Sequence, residues 1–314
     1  MSLAFVYPGQ GSQAVGMMRA LAERHPRIEH TFAEASEVLG YDLWAVCRDG
    51  PAEALNATEC TQPAMLTAAI ATYRVWRDLG GPVPGAMAGH SLGEFAALVA
   101  AGSLKFRDAV ALVRFRAQVM QAAVPPGEGA MAAILGLEDS DVEAACAEAS
   151  QGEVVEAVNF NAPGQIVIAG CAPAVARAIE AASARGAKRA LMLPISVPAH
   201  SSLMQTAAAA LSERLAATEV AAPDGIAVYG VDVKTRSRPE QIRAGLVKQL
   251  HTPVYWAATV RTMIHAGARL IVECGPGRVL TSLNRRVDKS GDAQMLALED
   301  PKSLDAALAA AAAA

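Results

Sequence analysis

The chain has 314 residues, of which 53% are apolar and 18% charged, with 27 basic against 31 acidic side chains and a formal charge of -4. A chain of this length can bury a large core in one or two domains. Its hydrophobicity excludes a disordered or collagen-like protein, and the lack of a basic excess argues against general binding of nucleic acid. Alanine-rich apolar content with only 4% aromatics favours closely packed helices over an all-β sandwich.

In chain order, Leu3 to Tyr7 is a short apolar run stopped by Pro8-Gly9-Gln10-Gly11-Ser12, which predicts a buried strand feeding a Gly-rich turn. The start lacks the basic and long apolar regions of a signal peptide, so a cytoplasmic location is expected. Five cysteines (Cys47, Cys60, Cys146, Cys171 and Cys274) are scattered, with no CxxC pair and no histidine at metal-ligand spacing. Reduced thiols and no metal site are expected. Helical patterns cover residues 27–39 and 61–79, the second closed by Gly80-Gly81-Pro82. A brief strand at 85–88 then runs into Gly89-His90-Ser91-Leu92-Gly93-Glu94 and a helix over 92–101. The most apolar stretch, 95–104, is about half the roughly 20 residues that span a membrane, so it reads as a core helix and no membrane partner is expected. Strand, sharp turn and helix in this order predict an α/β layer with a parallel sheet.

Pro125-Pro126-Gly127 is the clearest break in the chain and Pro194 the next. Between them strands are expected at 131–135, 154–158, 165–169 and 188–193, and helices at 140–149 and 173–184, the second with Pro in its first turn. The order β-α-β-β-α-β matches the split-βαβ, ferredoxin-like unit. It predicts a small domain at 126–194 inserted in a larger one made of 1–125 and 195–314. Helices are then expected at 202–217, 241–250 and 256–266, with strands near 226–230 and at 270–273. The closing alanine run, 309–314, reads as a frayed helical end.

Gly89-His90-Ser91-Leu92-Gly93 fits G-x-S-x-G, the elbow in which a sharp strand-to-helix turn exposes a serine hydroxyl. The pentapeptide alone is common by chance, and a serine before a helix is often only a cap. The strand before it and the helix after it supply the context that favours a nucleophile. Of six histidines, His90 adjoins Ser91 and points elsewhere, and His25 and His30 sit among polar helical residues. His200, in the rigid Val197-Pro198-Ala199-His200-Ser201 loop, is the best base for the serine, although a loop histidine can simply cap backbone groups. No acid between Ser91 and His200 stands out, which leaves a backbone carbonyl to hold the imidazole tautomer.

On a helical projection of residues 108–124, Arg116 falls in the arc of Val113 and Met120 while Arg114 falls outside it. A helix-face arginine can be solvated or snorkelling; the sharper reading is an anion anchor, whose planar fork suits a carboxylate brought by the substrate. The Gly9-Gln10-Gly11-Ser12-Gln13 loop lacks a nucleotide fingerprint but could present a backbone N–H beside Ser91.

Together these segments resemble the malonyl-CoA:acyl carrier protein transacylases of type II fatty acid synthesis, relatives of polyketide synthase acyltransferase domains. The resemblance spans nearly the whole chain. It rests on Phe5-Val6-Tyr7-Pro8-Gly9-Gln10-Gly11-Ser12-Gln13, Thr61-Gln62-Pro63-Ala64, Gly89-His90-Ser91-Leu92-Gly93-Glu94, Asn159-Phe160-Asn161-Ala162-Pro163-Gly164-Gln165, Val197-Pro198-Ala199-His200 and Glu273-Cys274-Gly275-Pro276-Gly277. It implies Ser91 as nucleophile, His200 as base, Arg116 as clamp for the malonyl carboxylate, an oxyanion hole from the Gln10 and Leu92 N–H groups, and Gln249 orienting the histidine through its main-chain oxygen. It also implies an acyl pocket with His90, Met120 and Asn161, and an α/β-hydrolase-like large domain with a parallel sheet core plus a ferredoxin-like insert.

The expected reaction is ping-pong transfer of malonyl from malonyl-CoA to the phosphopantetheine thiol of holo-acyl carrier protein, with no cofactor. The alternatives are a serine esterase or thioesterase with the same elbow, or a non-catalytic carrier-protein scaffold. The chain is expected to be a monomer. Because acyl carrier proteins are acidic, Lys188, Arg189, Arg285 and Arg286 are candidates for a local basic patch, the other reading being solvated surface charge.

Overall fold

Leu3–Tyr7 forms β1, buried at all five positions, in a computed structural model that describes residues 2–313. Its neighbours on both sides run parallel to it, so both faces are covered, which is why the sequence shows an unbroken apolar run rather than an alternating one. Four helices follow: α1 (Arg19–Ala22), α2 (Arg27–Leu39), α3 (Leu43–Asp49) and α4 (Ala52–Asn56). Ile28, Phe32, Ala35 and Leu39 make the buried stripe of α2, and Gly40 closes it in the left-handed conformation. The sequence misses α1, α3 and α4, which are too short to repeat a periodic pattern. The next helix, α5 (Thr58–Asp78), begins before the predicted residue 61 and carries Pro63 inside it. Then come β2 (Ala86–Gly89), α6 (Gly93–Ala100) and α7 (Phe106–Ala122). The apolar run 95–104 is therefore not one helix, since α6 stops at Ala100 and Gly102 takes a positive φ.

Residues 129–192 build a separate antiparallel sheet from β3 (Gly129–Leu135), α8 (Asp139–Ser150), β4 (Val155–Ala162), β5 (Gln165–Cys171), α9 (Ala172–Ala184) and β6 (Arg189–Met192). Its strand order is β4-β5-β3-β6. Strand β4 runs on through Asn161 and Ala162, which the sequence places in a loop, so Pro163-Gly164 is the whole hairpin connection. Val142, Cys146, Val175 and Ala178 of the two helices meet Ile134, Ile166 and Ile168 in a core of their own.

The rest of the chain is a 3-10 turn at Ser202–Met204, then α10 (Gln205–Ala216), β7 (Ala227–Tyr229), β8 (Thr235–Arg236), α11 (Pro239–Lys248), a second 3-10 turn at Gln249–His251, and α12 (Trp256–His265). It ends with β9 (Leu270–Glu273), α13 (Val279–Val287), β10 (Gln294–Ala297) and α14 (Pro301–Ala313). The helix predicted through residue 250 thus ends two residues early. Pro253, four residues beyond Gln249, has no N–H to return to its carbonyl, so a regular helix cannot satisfy it. The closing alanines continue α14 to Ala313, with Leu304 and Ala307 buried and Ala310 and Ala311 packed on the main core; Ala314 lies outside the described residues.

The six-stranded sheet has the order β10-β9-β1-β2-β7-β8, parallel except for β8. Side chains alternate between two cores: Leu3, Phe5 and Tyr7 face α5 and α7, whereas Ala4 and Val6 face α12 and α13. The antiparallel sheet is tied by backbone pairing to Val254, in the segment before α12. Phe160 N–H donates to Val254 O at 2.9 Å and Val254 N–H to Val158 O at 2.8 Å, so the free edge of β4 is covered by the large part of the chain.

Candidate active site

The site lies beyond the carboxyl ends of β1 and β2, where a parallel sheet leaves a crevice. After β2 the chain turns so sharply that a Cβ on Gly89 would sit 1.8 Å from the Gly93 carbonyl carbon, and one on Gly93 would sit 2.1 Å from Tyr7 O. Both positions therefore require glycine. Ser91 between them holds φ +52°, a left-handed conformation rare outside glycine, and His200 holds φ +67°. Such conformations cost on the order of 1–3 kcal/mol each and are kept only where the surroundings enforce them.

His200 is enforced by the 3-10 turn after α11. Its N–H donates to Leu250 O at 2.9 Å, and its ring Nδ1 lies 2.6 Å from Gln249 O. A carbonyl can only accept, so Nδ1 carries the proton and Nε2 presents its lone pair to Ser91 Oγ, 2.7 Å away. Burial, helped by the charge of Arg116, lowers the His200 pKa to about 3, against the pull of the hydrogen bond to Gln249. The imidazole is neutral at ordinary pH and ready to take the serine proton.

Arg116, on α7, is 1% exposed. The guanidinium donates from Nη1 to Gln62 Oε1 at 2.9 Å, and from Nη2 to Gln249 Oε1 at 3.1 Å and Ser91 Oγ at 3.3 Å. It lies over the Phe95 ring at 5.7 Å. No carboxylate is in contact with it among the described residues. Burial lowers its pKa to about 10, partly offset by the charge of Glu94, so the group stays cationic. Three of its five N–H groups are engaged, and the buried Nε has no hydrogen-bond partner among the described residues.

Ser91, His200, Arg116 and Gln62 line a cavity of about 80 Å³ that also takes in Gln10, Leu92, His90 and Met120. The main-chain N–H groups of Gln10 and Leu92 donate no hydrogen bond among the described residues. Asn161 does not line this cavity. It holds His90 through a 2.8 Å hydrogen bond from Nε2 to Oδ1 and lines a neighbouring open cleft of about 650 Å³ between the two sheets. Gln10, His90, Met131, Asn159 and Ile195 border both spaces, so the cleft adjoins the Ser91 cavity.

Lys188 and Arg189 lie exposed at the start of edge strand β6, and Arg285 and Arg286 are exposed on α13. The Lys188 stem covers Gly136, whose N–H bonds to Gly164 O, and Arg286 donates to Pro163 O at 3.2 Å. The Pro163-Gly164 turn therefore brings these two cations to one place, while Arg285 donates to Met295 O at 3.1 Å on β10.

Sequence reasoning assigns no part to Gln62 or Glu94. Gln62 lies buried in the first turns of α5 next to Pro63, among Thr58, Glu59 and Thr61, so nothing local in the sequence singles it out. Glu94, buried in the apolar α6, accepts from the Gln249 side-chain amide at 2.8 Å. Among the described residues no cluster of three or more potential metal ligands occurs, and no helix is long and apolar enough to cross a membrane.

Residues 4–300 match the family model described as acyl transferase domain. The chain is 53% identical over 305 residues to the malonyl CoA-acyl carrier protein transacylase of Escherichia coli strain K12, covering 97% of this chain and 98% of that one. It superposes on an acyl carrier protein S-malonyltransferase from Vibrio cholerae with a TM-score of 0.94 at 52% identity, covering 98% and 99% of the two chains. It also superposes on a malonyl-transacylase solved in complex with a type II PKS acyl-carrier protein, with a TM-score of 0.96, 49% identity and coverage of 99% and 100%.

Proposed function

Because the chain belongs to the acyl transferase family, we propose that it moves the malonyl group of malonyl-CoA to the phosphopantetheine thiol of holo-acyl carrier protein through a malonyl-Ser91 intermediate. The observation that carries this reading is the buried Arg116, cationic and held only by neutral partners, beside a serine whose hydroxyl faces a neutral imidazole.

In the first half-reaction Ser91 Oγ bonds to the thioester carbonyl carbon as its proton passes to His200 Nε2. The Gln10 and Leu92 N–H groups hold the oxyanion, an interaction whose loss typically costs about 10²–10³ in rate. The C–S bond then breaks and the departing CoA sulfur takes the proton from His200. In the second half-reaction the carrier-protein thiol gives its proton to His200, its sulfur attacks the ester carbon, and Ser91 leaves with the proton. Throughout, Arg116 pairs with the free malonyl carboxylate, and Gln249 O keeps His200 in the tautomer that both halves need.

The arrangement of β1, β2 and the Ser91 turn supports an α/β-hydrolase-like large domain over 1–125 and 195–314, and the strand order β4-β5-β3-β6 supports a ferredoxin-like insert over 126–194. The exposed cations Lys188, Arg189, Arg285 and Arg286 suit an acidic carrier protein, and Arg286 donates to Gln165, which borders the cleft.

Intact mass spectrometry after brief incubation with malonyl-CoA tests the reading. One malonyl adduct is expected, absent in Ser91→Ala and cleared by holo-acyl carrier protein. Free malonate without an adduct would show a hydrolase, and neither adduct nor turnover would leave a binding scaffold.

A further inference from the structure

Behind the Arg116 site runs a chain of buried polar groups that the proposed reaction does not itself use. Glu94, fully buried on α6, places Oε2 2.8 Å from Gln249 Nε2, while its Oε1 faces Arg236 Nε at 3.8 Å. Arg236 in turn donates from Nη2 to Asp232 Oδ1 at 2.6 Å. Space for this guanidinium is built into the fold: a Cβ on Gly230 would lie 2.5 Å from it, and one on Gly245 would lie 2.4 Å from it. The loop that carries Asp232 also holds Val233 at φ +69°, a strained conformation for a β-branched residue.

The chemistry of the Gln249 amide makes this arrangement directional. The amide has one accepting end and one donating end. With its NH2 anchored on the Glu94 carboxylate, its oxygen must face Arg116 Nη2, 3.1 Å away. A flipped amide would set donor against donor at Arg116 and acceptor against acceptor at Glu94.

We propose that Glu94 is a positioning residue for the substrate-carboxylate site, fixing the Gln249 amide so that Arg116 is held in place by a neutral oxygen and its charge stays available to the acyl group. A glutamate in direct contact with Arg116 would compete with the substrate; set one amide away, Glu94 orients the guanidinium without occupying it. Only a carboxylate offers acceptors to both donors that flank this position, because a glutamine would turn its NH2 towards either Gln249 or Arg236.

The inference rests on the reading of Arg116 as the malonyl anchor, and its test keeps the two apart. Rates of acyl-Ser91 formation are measured with malonyl-CoA and acetyl-CoA for wild type, Arg116→Ala, Glu94→Gln, Gln249→Ala and the Glu94→Gln/Gln249→Ala double variant. Gln249→Ala removes the amide but keeps the main-chain oxygen that His200 uses. Glu94→Gln is expected to lower the malonyl-to-acetyl rate ratio about tenfold, the scale of one hydrogen bond to a charged group. If Glu94 acts through the amide, the double variant is no worse than Gln249→Ala alone. Additive losses, or equal losses for both acyl groups, overturn the role of Glu94. An unchanged ratio in Arg116→Ala overturns the anchor reading itself. Should Glu94→Gln fail to fold, Glu94→Asp, one methylene short of the amide, is expected to lower the ratio by a smaller factor, and an unchanged ratio there overturns the proposal.

Discussion

Glu94 and Glu273 are both fully buried carboxyls, and burial pushes the pKa of each up to about 7. Their partners differ in kind. Glu273, at the end of β9, accepts from the backbone N–H of Leu280 at 3.1 Å and of Thr281 at 2.7 Å, satisfying the first turn of α13. Glu94, beside the Val231 backbone, meets the Gln249 amide and the Arg236 guanidinium, and through the amide it reaches Arg116. A displaced pKa therefore marks both an architectural cap and a group tied to the site, and only the identity of the partners tells them apart. One neighbourhood holds a helix in place; the other holds a charge in readiness.

Substitutions at the two places should separate rate from stability. The largest effect is expected for His200→Ala, which removes the proposed base: acyl transfer should fall about 10²–10⁴-fold, far more than any change in melting temperature would explain. Stopped-flow acylation with parallel thermal melts checks this, and a rate loss matched by unfolding would count against it. Glu273→Ala should do the reverse. Two buried N–H groups lose their acceptor, costing about 2 kcal/mol or more in denaturant unfolding, while the malonyl-to-acetyl ratio of the folded fraction is unchanged.

A smaller effect lies in the pH dependence of stability. Both carboxyls bind their proton more tightly folded than unfolded, so their contribution is fully present below about pH 4.5 and is lost as pH rises through about 7. Glu273→Gln should remove part of this decline and leave acyl selectivity alone, whereas Glu94→Gln should remove part of it and change selectivity; urea melts across pH 4.5–8 check both. The smallest effect is a near absence of change. With His200 held at about 3, its neutral form persists at pH 5, where an ordinary histidine would be only about 3% neutral. Single-turnover acylation by acetyl-CoA, which does not draw on the Glu94–Arg116 site, should stay at pH 5 within about threefold of its rate at pH 7, and a loss following a pKa near 6.5 would contradict the buried, neutral imidazole.

Much of this was legible in the chain because the required residues are local. The Gly89-to-Gly93 turn announces itself, since contacts of 1.8 and 2.1 Å admit no Cβ at either glycine. The antiparallel unit was legible because all of its elements except the four-residue β6 are long enough to show their period. Arg116 stood out as a charge in an apolar arc, but its partners did not, for Gln62 and Gln249 lie 54 and 133 positions away in sequence. The same holds for Glu94, whose link to Gln249 spans 155 positions. The early stop of α11 could have been read from Pro253, which leaves the Gln249 carbonyl without a helical donor and free for His200. Strand β10 and helix α13 escaped notice, α13 because it follows almost directly on the Gly275-Pro276-Gly277 turn.

The central claim is that a buried guanidinium, held by neutral amides beside Ser91, selects an acyl group bearing its own carboxylate. Single-turnover acylation of wild type and Arg116→Ala by malonyl-CoA and acetyl-CoA tests it most directly. The account predicts that the substitution slows malonyl transfer by about 10²-fold or more and acetyl transfer by less than about tenfold, because only malonyl brings a partner for the charge. Equal slowing of both acyl groups would contradict it.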